Sequence, residues 1–177
     1  MMRVKPPAVA GLFYPGDPAT LQETVDTYLR GASGPTGARP HALIVPHAGY
    51  IYSGPIAASA YATLRPWAAQ VARVLVLAPS HRVAFRGIAT SSAEQFATPL
   101  GEVPVDREAV VALERLPSVG RLDAAFEQEH ALEVQLPFLQ AVLGDFLLVP
   151  LIVGDADDAE VDAVIEAVTR EDTLIVV

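Results

Sequence analysis

His47 and His81 each follow the end of an apolar run, with a proline at the junction. "ALIV" (42–45) gives way to Pro46 and His47, and "VLVLA" (74–78) gives way to Pro79, Ser80 and His81. Proline has no N–H to donate to a sheet ladder, so each strand ends there and each imidazole projects just beyond the strand's carboxyl end. In open α/β sheets that edge is where ligands bind. If the two strands are parallel neighbours, about 5 Å apart, the imidazoles converge on one point. Two neutral imidazoles in a crevice are the start of a divalent metal site, and iron, copper and zinc all accept such donors. The competing reading is that each ring bonds a backbone carbonyl and shapes its loop; the residues alone leave both open.

His130 lies in "FEQEHALEVQLPFLQ" (126–140). On a helix, Glu129, His130 and Glu133 share one side. A carboxylate beside an imidazole fixes its tautomer and tunes its basicity, which suits His130 and Glu129 to a catalytic acid–base role or to supporting a metal ligand from behind. A solvated charged face over Leu132, Leu136 and Leu139 is the alternative, and Pro137 predicts a kink or break nearby. Beyond His47, Gly49 permits a sharp turn, Tyr50 reads as packing and Tyr52 as lining the crevice. "SGP" reads as a helix start, with Ser53 or Gly54 as cap and Pro55 in the first turn, leaving N–H groups that could face an anion. His41 precedes its strand at the wrong edge and reads as structural. Ser80 and His81 are adjacent on an extended chain and point apart, which argues against a hydrolase triad.

The elements that must position these residues are four apolar, β-branched runs at 42–45, 73–78, 146–153 and 173–177. Continuous rather than alternating, they suit strands buried on both faces. Helices are expected at 18–30, 55–65, 106–116, 129–143 and 157–170. Strand and helix alternate, so the fold class is α/β, a largely parallel central sheet flanked by helices. Segment 80–105 is too long for a plain connection; "GIATSS" and "TPLGEVPVD" predict short strands or a hairpin at one end of the sheet. "GASGPTGARP" (31–40) reads as a flexible connection. The 177 residues, 51% of them hydrophobic, predict a single domain, 1–177.

Twelve Lys and Arg against 21 Asp and Glu, with no basic cluster, argue against nucleic acid as a partner. With no cysteine, any metal must use His, Asp or Glu. "FLLVPLIVG" (146–154) is about half of a membrane span, and prolines interrupt the N-terminal apolar residues where a secretory signal would need continuity. A cytoplasmic protein with no membrane partner is the expectation.

"PAVAGLFYPGD", "IVPHAGYIYSGPIAASAY", "LAPSHRVAFRGIA", "TPLGEVPVD", "EHALEVQLPFLQ", "LVPLIVGD" and "TLIVV" together resemble the Memo family, also called AmmeMemoRadiSam system protein B in prokaryotes. The resemblance covers nearly the whole chain in order. It implies a fold similar to the LigB-type extradiol dioxygenases, which use non-haem iron, and it carries His47 and His81 onto metal ligands. Phe13 and Tyr52 resemble pocket-lining positions, and "EHALE" a motif beside that pocket. Iron is the implied cofactor, with copper or zinc also compatible. The function this suggests is a dioxygenase-like or redox protein acting on an unknown small molecule or peptide. Phosphotyrosine-peptide recognition, proposed for an animal member, suggests a non-catalytic peptide- or anion-binding module instead. An AMMECR-type protein and a radical enzyme are the implied operon partners. In the family, "TLIVV" continues into an "SSDxxH" segment and later a third ligand, commonly cysteine. Neither is in this chain, so a domain lacking its C-terminal portion is the expectation.

Overall fold

The computed structural model describes residues 2–33 and 37–177, so residues 34–36 of the connection expected at 31–40 lie outside the described residues. The chain begins with β1 (Val4–Lys5) and α1 (Pro18–Gly31). Asp17 caps α1, accepting from Thr20 N at 2.9 Å, with Pro18 in the first turn. Leu21, Val25 and Leu29, four apart, bury one face. Next come β2 (Ala42–Leu43), α2 (Tyr50–Tyr61) with a 3-10 continuation (Ala62–Gln70), and β3 (Arg73–Pro79). The long excursion holds β4 (Ile88–Thr90), β5 (Gln95–Thr98) and β6 (Gly101–Pro104). Then follow α3 (Arg107–Leu113), β7 (Val119–Arg121), α4 (Ala124–Glu127) and α5 (Leu136–Leu143). The chain closes with β8 (Leu147–Val153), α6 (Asp158–Val168) and β9 (Thr173–Val176).

Six strands form the main sheet in the order β2-β9-β3-β8-β4-β7. β2, β9, β3 and β8 run parallel, and β4 turns antiparallel to β8, so the α/β class with a largely parallel sheet holds. β3 is buried at every position from Arg73 to Ala78, as a strand covered on both faces must be. On one side α1, α2 and α5 pack together; α3 and α6 pair separately. Pro150 sits inside β8 without breaking it. Leu148, two residues earlier and on the same edge, gives its carbonyl to Asp106 N at 2.8 Å, so that edge faces away from β3. β4 pairs only with Ile152 and Val153, so the missing N–H of Pro150 removes no ladder bond.

The excursion departs from a simple end-of-sheet hairpin. "GIATSS" supplies β4 inside the main sheet, while β5 and β6 form a hairpin that pairs with β1 in a separate three-stranded sheet. The expected 129–143 helix also divides. Residues 129–132 are non-helical, a 3-10 turn covers Glu133–Gln135, and α5 begins at Leu136 with Pro137 in its first turn. Pro137 thus starts a helix rather than kinking one. Among the described residues, no helix is long and apolar enough to cross a membrane.

Candidate metal centre

The two proline-terminated strands are parallel but not neighbours, because β9 lies between them. β2 pairs with β9 beyond its named limits: Val177 N bonds Leu43 O and Val45 N bonds Val177 O, each at 2.9 Å. Pro46 ends this ladder, and Gln135 reaches the Pro46 carbonyl at 3.4 Å. β3 ends at Pro79, after which Ser80 N bonds Val153 O at 2.9 Å and Ser80 Oγ bonds Val83 O at 2.6 Å. Ser80 therefore shapes its loop. His47 and His81 lean over the carboxyl end of β9, and their ring centroids come within 5.2 Å. His41 is exposed at the opposite end, where its carbonyl accepts from Ile175 N at 3.0 Å.

Glu129 organises the next layer. It is 2% exposed, and its Oε2 accepts from His81 N at 2.7 Å. Its Oε1 faces His81 Nδ1 at 2.9 Å and accepts from His130 N at 2.8 Å and Ala131 N at 3.0 Å. Burial alone pushes this carboxyl up, but the N–H groups of Ala131 and His81, the His81 ring and His130 N outweigh it and hold it below the ordinary carboxylate range. An ionised carboxylate only accepts, so Nδ1 of His81 carries a proton, and in the neutral ring the lone pair is then on Nε2.

His130 joins the pair. Its ring centroid is 4.7 Å from that of His81, 6.0 Å from that of His47 and 4.6 Å from that of Phe13. One ligand atom from each of His81, Glu129 and His130 lies within 4.8 Å of the others. Burial and the neighbouring His81 ring, partly offset by Glu129, hold His47 below its ordinary 6.5. Burial, only partly offset by Glu129, does the same for His130. Both rings are thus neutral at pH 7, the form that binds metal.

Phe13 and Tyr52 wall an open cleft of about 590 Å³ over the three imidazoles, with the backbone of 46–49 along its side. A depression of about 630 Å³ at the opposite edge, beside Leu100, Gln140 and Phe146, holds no imidazole, so size does not mark the chemistry. Phe13 sits in a tight loop where Gly11 adopts φ 79° and Phe13 N bonds Val9 O at 2.9 Å. Glu133 straps that loop down. It accepts from Ala8 N at 2.6 Å, Val9 N at 3.0 Å, Tyr14 Oη at 2.6 Å and Lys5 Nζ at 3.1 Å.

Three expectations change here. Glu133 does not share a face with Glu129 and His130, because the chain is not helical between them and Glu133 turns to the N-terminal loop. α2 starts at Tyr50 rather than at Pro55, with Gly49 as cap. Tyr50 N bonds Phe13 O at 2.7 Å, while Tyr52 N and Ser53 N bond Gly49 O at 2.9 and 3.1 Å, so the N–H groups offered to an anion are mostly spent. Tyr50 itself is buried and donates to Val134 O at 2.7 Å, as packing requires, whereas Tyr52 is 78% exposed at the cleft. The roles of Glu133 and Gln135 were not singled out as crevice supports. Their signal was polar side chains inside the apolar run "ALEVQLPF".

The residues present fit a divalent metal. With metal–nitrogen bonds of about 2.0–2.1 Å, two imidazoles on one ion have centroids about 4.5–5.3 Å apart, and the His47–His81 separation of 5.2 Å falls in that range. Glu129 is a poor direct ligand, since its oxygens already serve the His81 ring and three backbone N–H groups.

A family model described as "Memo-like protein" matches residues 5–177. Among similar proteins, a MEMO1 family protein of Methanopyrus kandleri is 41% identical over 155 residues, 82% of this chain and 54% of its own. One from Pyrobaculum arsenaticum is 37% identical over 160 residues, 86% of this chain and 57% of its own. One from Aquifex aeolicus is 38% identical over 153 residues, 86% and 55%. The chain spans about half the length of the curated relatives it matches, 54–57% for these three. The motifs, the parallel sheet and the match over residues 5–177 agree: the chain belongs to the Memo family.

Proposed function

We propose that this protein holds one divalent metal between His47 and His81 and acts as a dioxygenase-like or redox protein on a small molecule or peptide. Iron is the first choice, with copper or zinc also suited to these donors. The observation that carries this reading is the meeting of two uncommitted imidazole edges, 5.2 Å between centroids, over the carboxyl end of a parallel sheet. The bland role of a loop histidine would need a bond to a backbone carbonyl, and among the described residues neither the His47 ring nor the His81 ring makes one. The metal, when bound, supplies Lewis acidity and, as iron or copper, access to one-electron chemistry.

The chain's own residues prepare that site. Glu129 keeps a proton of His81 on Nδ1, which leaves Nε2 as the nitrogen available to a metal. Phe13 and Tyr52 give the ligand an apolar wall. Glu129→Gln is expected to weaken metal binding by about 10–100-fold, since the carboxamide loses the charge that orients His81. Competition titration against a chromogenic chelator reads this; unchanged affinity would remove the orienting role.

Anaerobic calorimetry with Fe(II), repeated with Cu(II) and Zn(II), tests the proposal. Uptake of one ion per chain is expected. Phosphotyrosine and plain anionic peptides, titrated with and without chelator, test the alternative. No metal uptake together with chelator-insensitive peptide binding would replace the redox reading with a binding module.

A further inference from the structure

At the edge of the sheet opposite the imidazoles lies a groove of about 630 Å³, within the size range of ligand sites, that the metal centre does not use. One wall is β6, all four of whose residues, Gly101–Pro104, line it; the other is the turn at 144–146 with Leu147 at the start of β8. β6 is the outer strand of the three-stranded sheet, with β5 on one side only. Along an antiparallel strand, backbone groups alternate between the partner and the open side. Val105 N bonds Glu94 O at 2.9 Å, in register with the pairs Phe96–Val103 and Thr98–Gly101, so these residues face β5 and Glu102 turns its N–H and C=O to the groove. Just past β6, Val105 bridges to Leu148 and closes that end. An open strand edge is a template for another strand. The walls determine which strand. Leu100 and Phe146 give an apolar lining, and Leu147 is 41% exposed where Leu148 to Ile152 are buried. The charged residues that line the groove are Glu102 and Asp145, one on each wall, both exposed and without an ion pair among the described residues. Gln140 fixes the hairpin against α5, since its Oε1 accepts from Thr98 Oγ1 at 2.7 Å and its Nε2 donates to Gly101 O at 3.2 Å, so the groove is formed before a ligand arrives.

We infer that this groove is a docking site for an extended basic segment of a partner protein, which adds to the edge of β6 at Glu102, lays an apolar side chain on Phe146 and Leu147, and places a Lys or Arg between Glu102 and Asp145. A charge on a strand edge discourages neutral strands, and a carboxylate on each wall makes the groove selective for cationic ones. The site is separate from the metal centre and does not depend on an ion at His47 and His81.

The probe is a fluorescent hexapeptide of alternating Lys and Val, followed by anisotropy. It is expected to bind wild type, and to bind the double variant Glu102→Lys with Asp145→Lys about tenfold or more weakly. The double variant Asp162→Lys with Glu166→Lys makes the same charge change at exposed positions of α6 and is expected to bind as wild type does. The same peptide methylated at every backbone nitrogen is expected not to bind, because it lacks the N–H groups a strand must offer. No binding to wild type, or equal loss in both double variants, overturns the site. Equal binding of the methylated peptide, or displacement by spermidine as effective as that by unlabelled peptide, overturns the strand reading in favour of a small cation. Sedimentation velocity is expected to leave the oligomeric state unchanged by Leu147→Asp; a wild-type dimer that this variant dissociates would make a second copy the occupant and overturn the partner reading.

Discussion

Replacing His81 with alanine is expected to abolish metal uptake and to lower stability by about 1–2 kcal/mol, whereas His47→Ala abolishes uptake and leaves stability within about 0.5 kcal/mol of wild type. The two rings occupy equivalent strand ends but differ in what they hold. Nδ1 of His81 is bonded to the buried carboxylate of Glu129 at 2.9 Å, so truncation removes a charge-assisted hydrogen bond from an anion that stays buried. The loss stays small because the His81 ring is 39% exposed, which lets water replace it, and because His81 N still donates to Glu129 Oε2. The His47 ring makes no hydrogen bond among the described residues, and its ring neighbours are the other two imidazoles. Urea denaturation of the metal-free proteins and calorimetry with Fe(II) check both halves. Equal uptake in wild type and both variants would refute the shared site.

Glu133→Ala is expected to destabilise the fold by about 3–5 kcal/mol, the cost of leaving a buried charge without its partner. Glu133 is 2% exposed and satisfies Lys5 Nζ, two backbone N–H groups and the Tyr14 hydroxyl together. Removing it strands an ammonium whose side chain is 12% exposed and three further donors. The lesion also reaches the cleft, since the strapped loop carries Phe13. Thermal or urea unfolding measures the loss; a change below about 1 kcal/mol would show that water replaces the carboxylate without difficulty. Glu133→Gln should fall between, because the amide keeps one acceptor and loses the charge.

These residues also show where sequence and structure part. The strands at 73–78, 146–153 and 173–177 were legible because continuous apolar runs suit a sheet covered on both faces. The strand-end histidines were legible because a proline whose missing N–H would face a neighbouring strand stops the ladder there. The insertion of β9 between β2 and β3 was not, since pairing order is a long-range property that no local run encodes. Helix spacing misled at 129–143. Glu129 draws the N–H groups of His130 and Ala131 to its own side chain, and that local bonding competes with the helical ladder. The start of α2 was misplaced for a related reason: Phe13 O, 37 positions away in the chain, receives Tyr50 N and fixes the first turn there. The clustering of His130 with the other two imidazoles follows from that break in the helix, because a continuous helix would have placed Glu133 beside it.

The central claim is that His47 and His81 hold one metal at the carboxyl edge of the sheet. Anomalous diffraction at the iron edge, from crystals of the protein loaded anaerobically with Fe(II), tests it most directly. The account predicts one strong peak within bonding distance of a ring nitrogen of each of these histidines, over the end of β9. A peak elsewhere on the chain, or full iron loading in solution with no peak between the two rings, would contradict it.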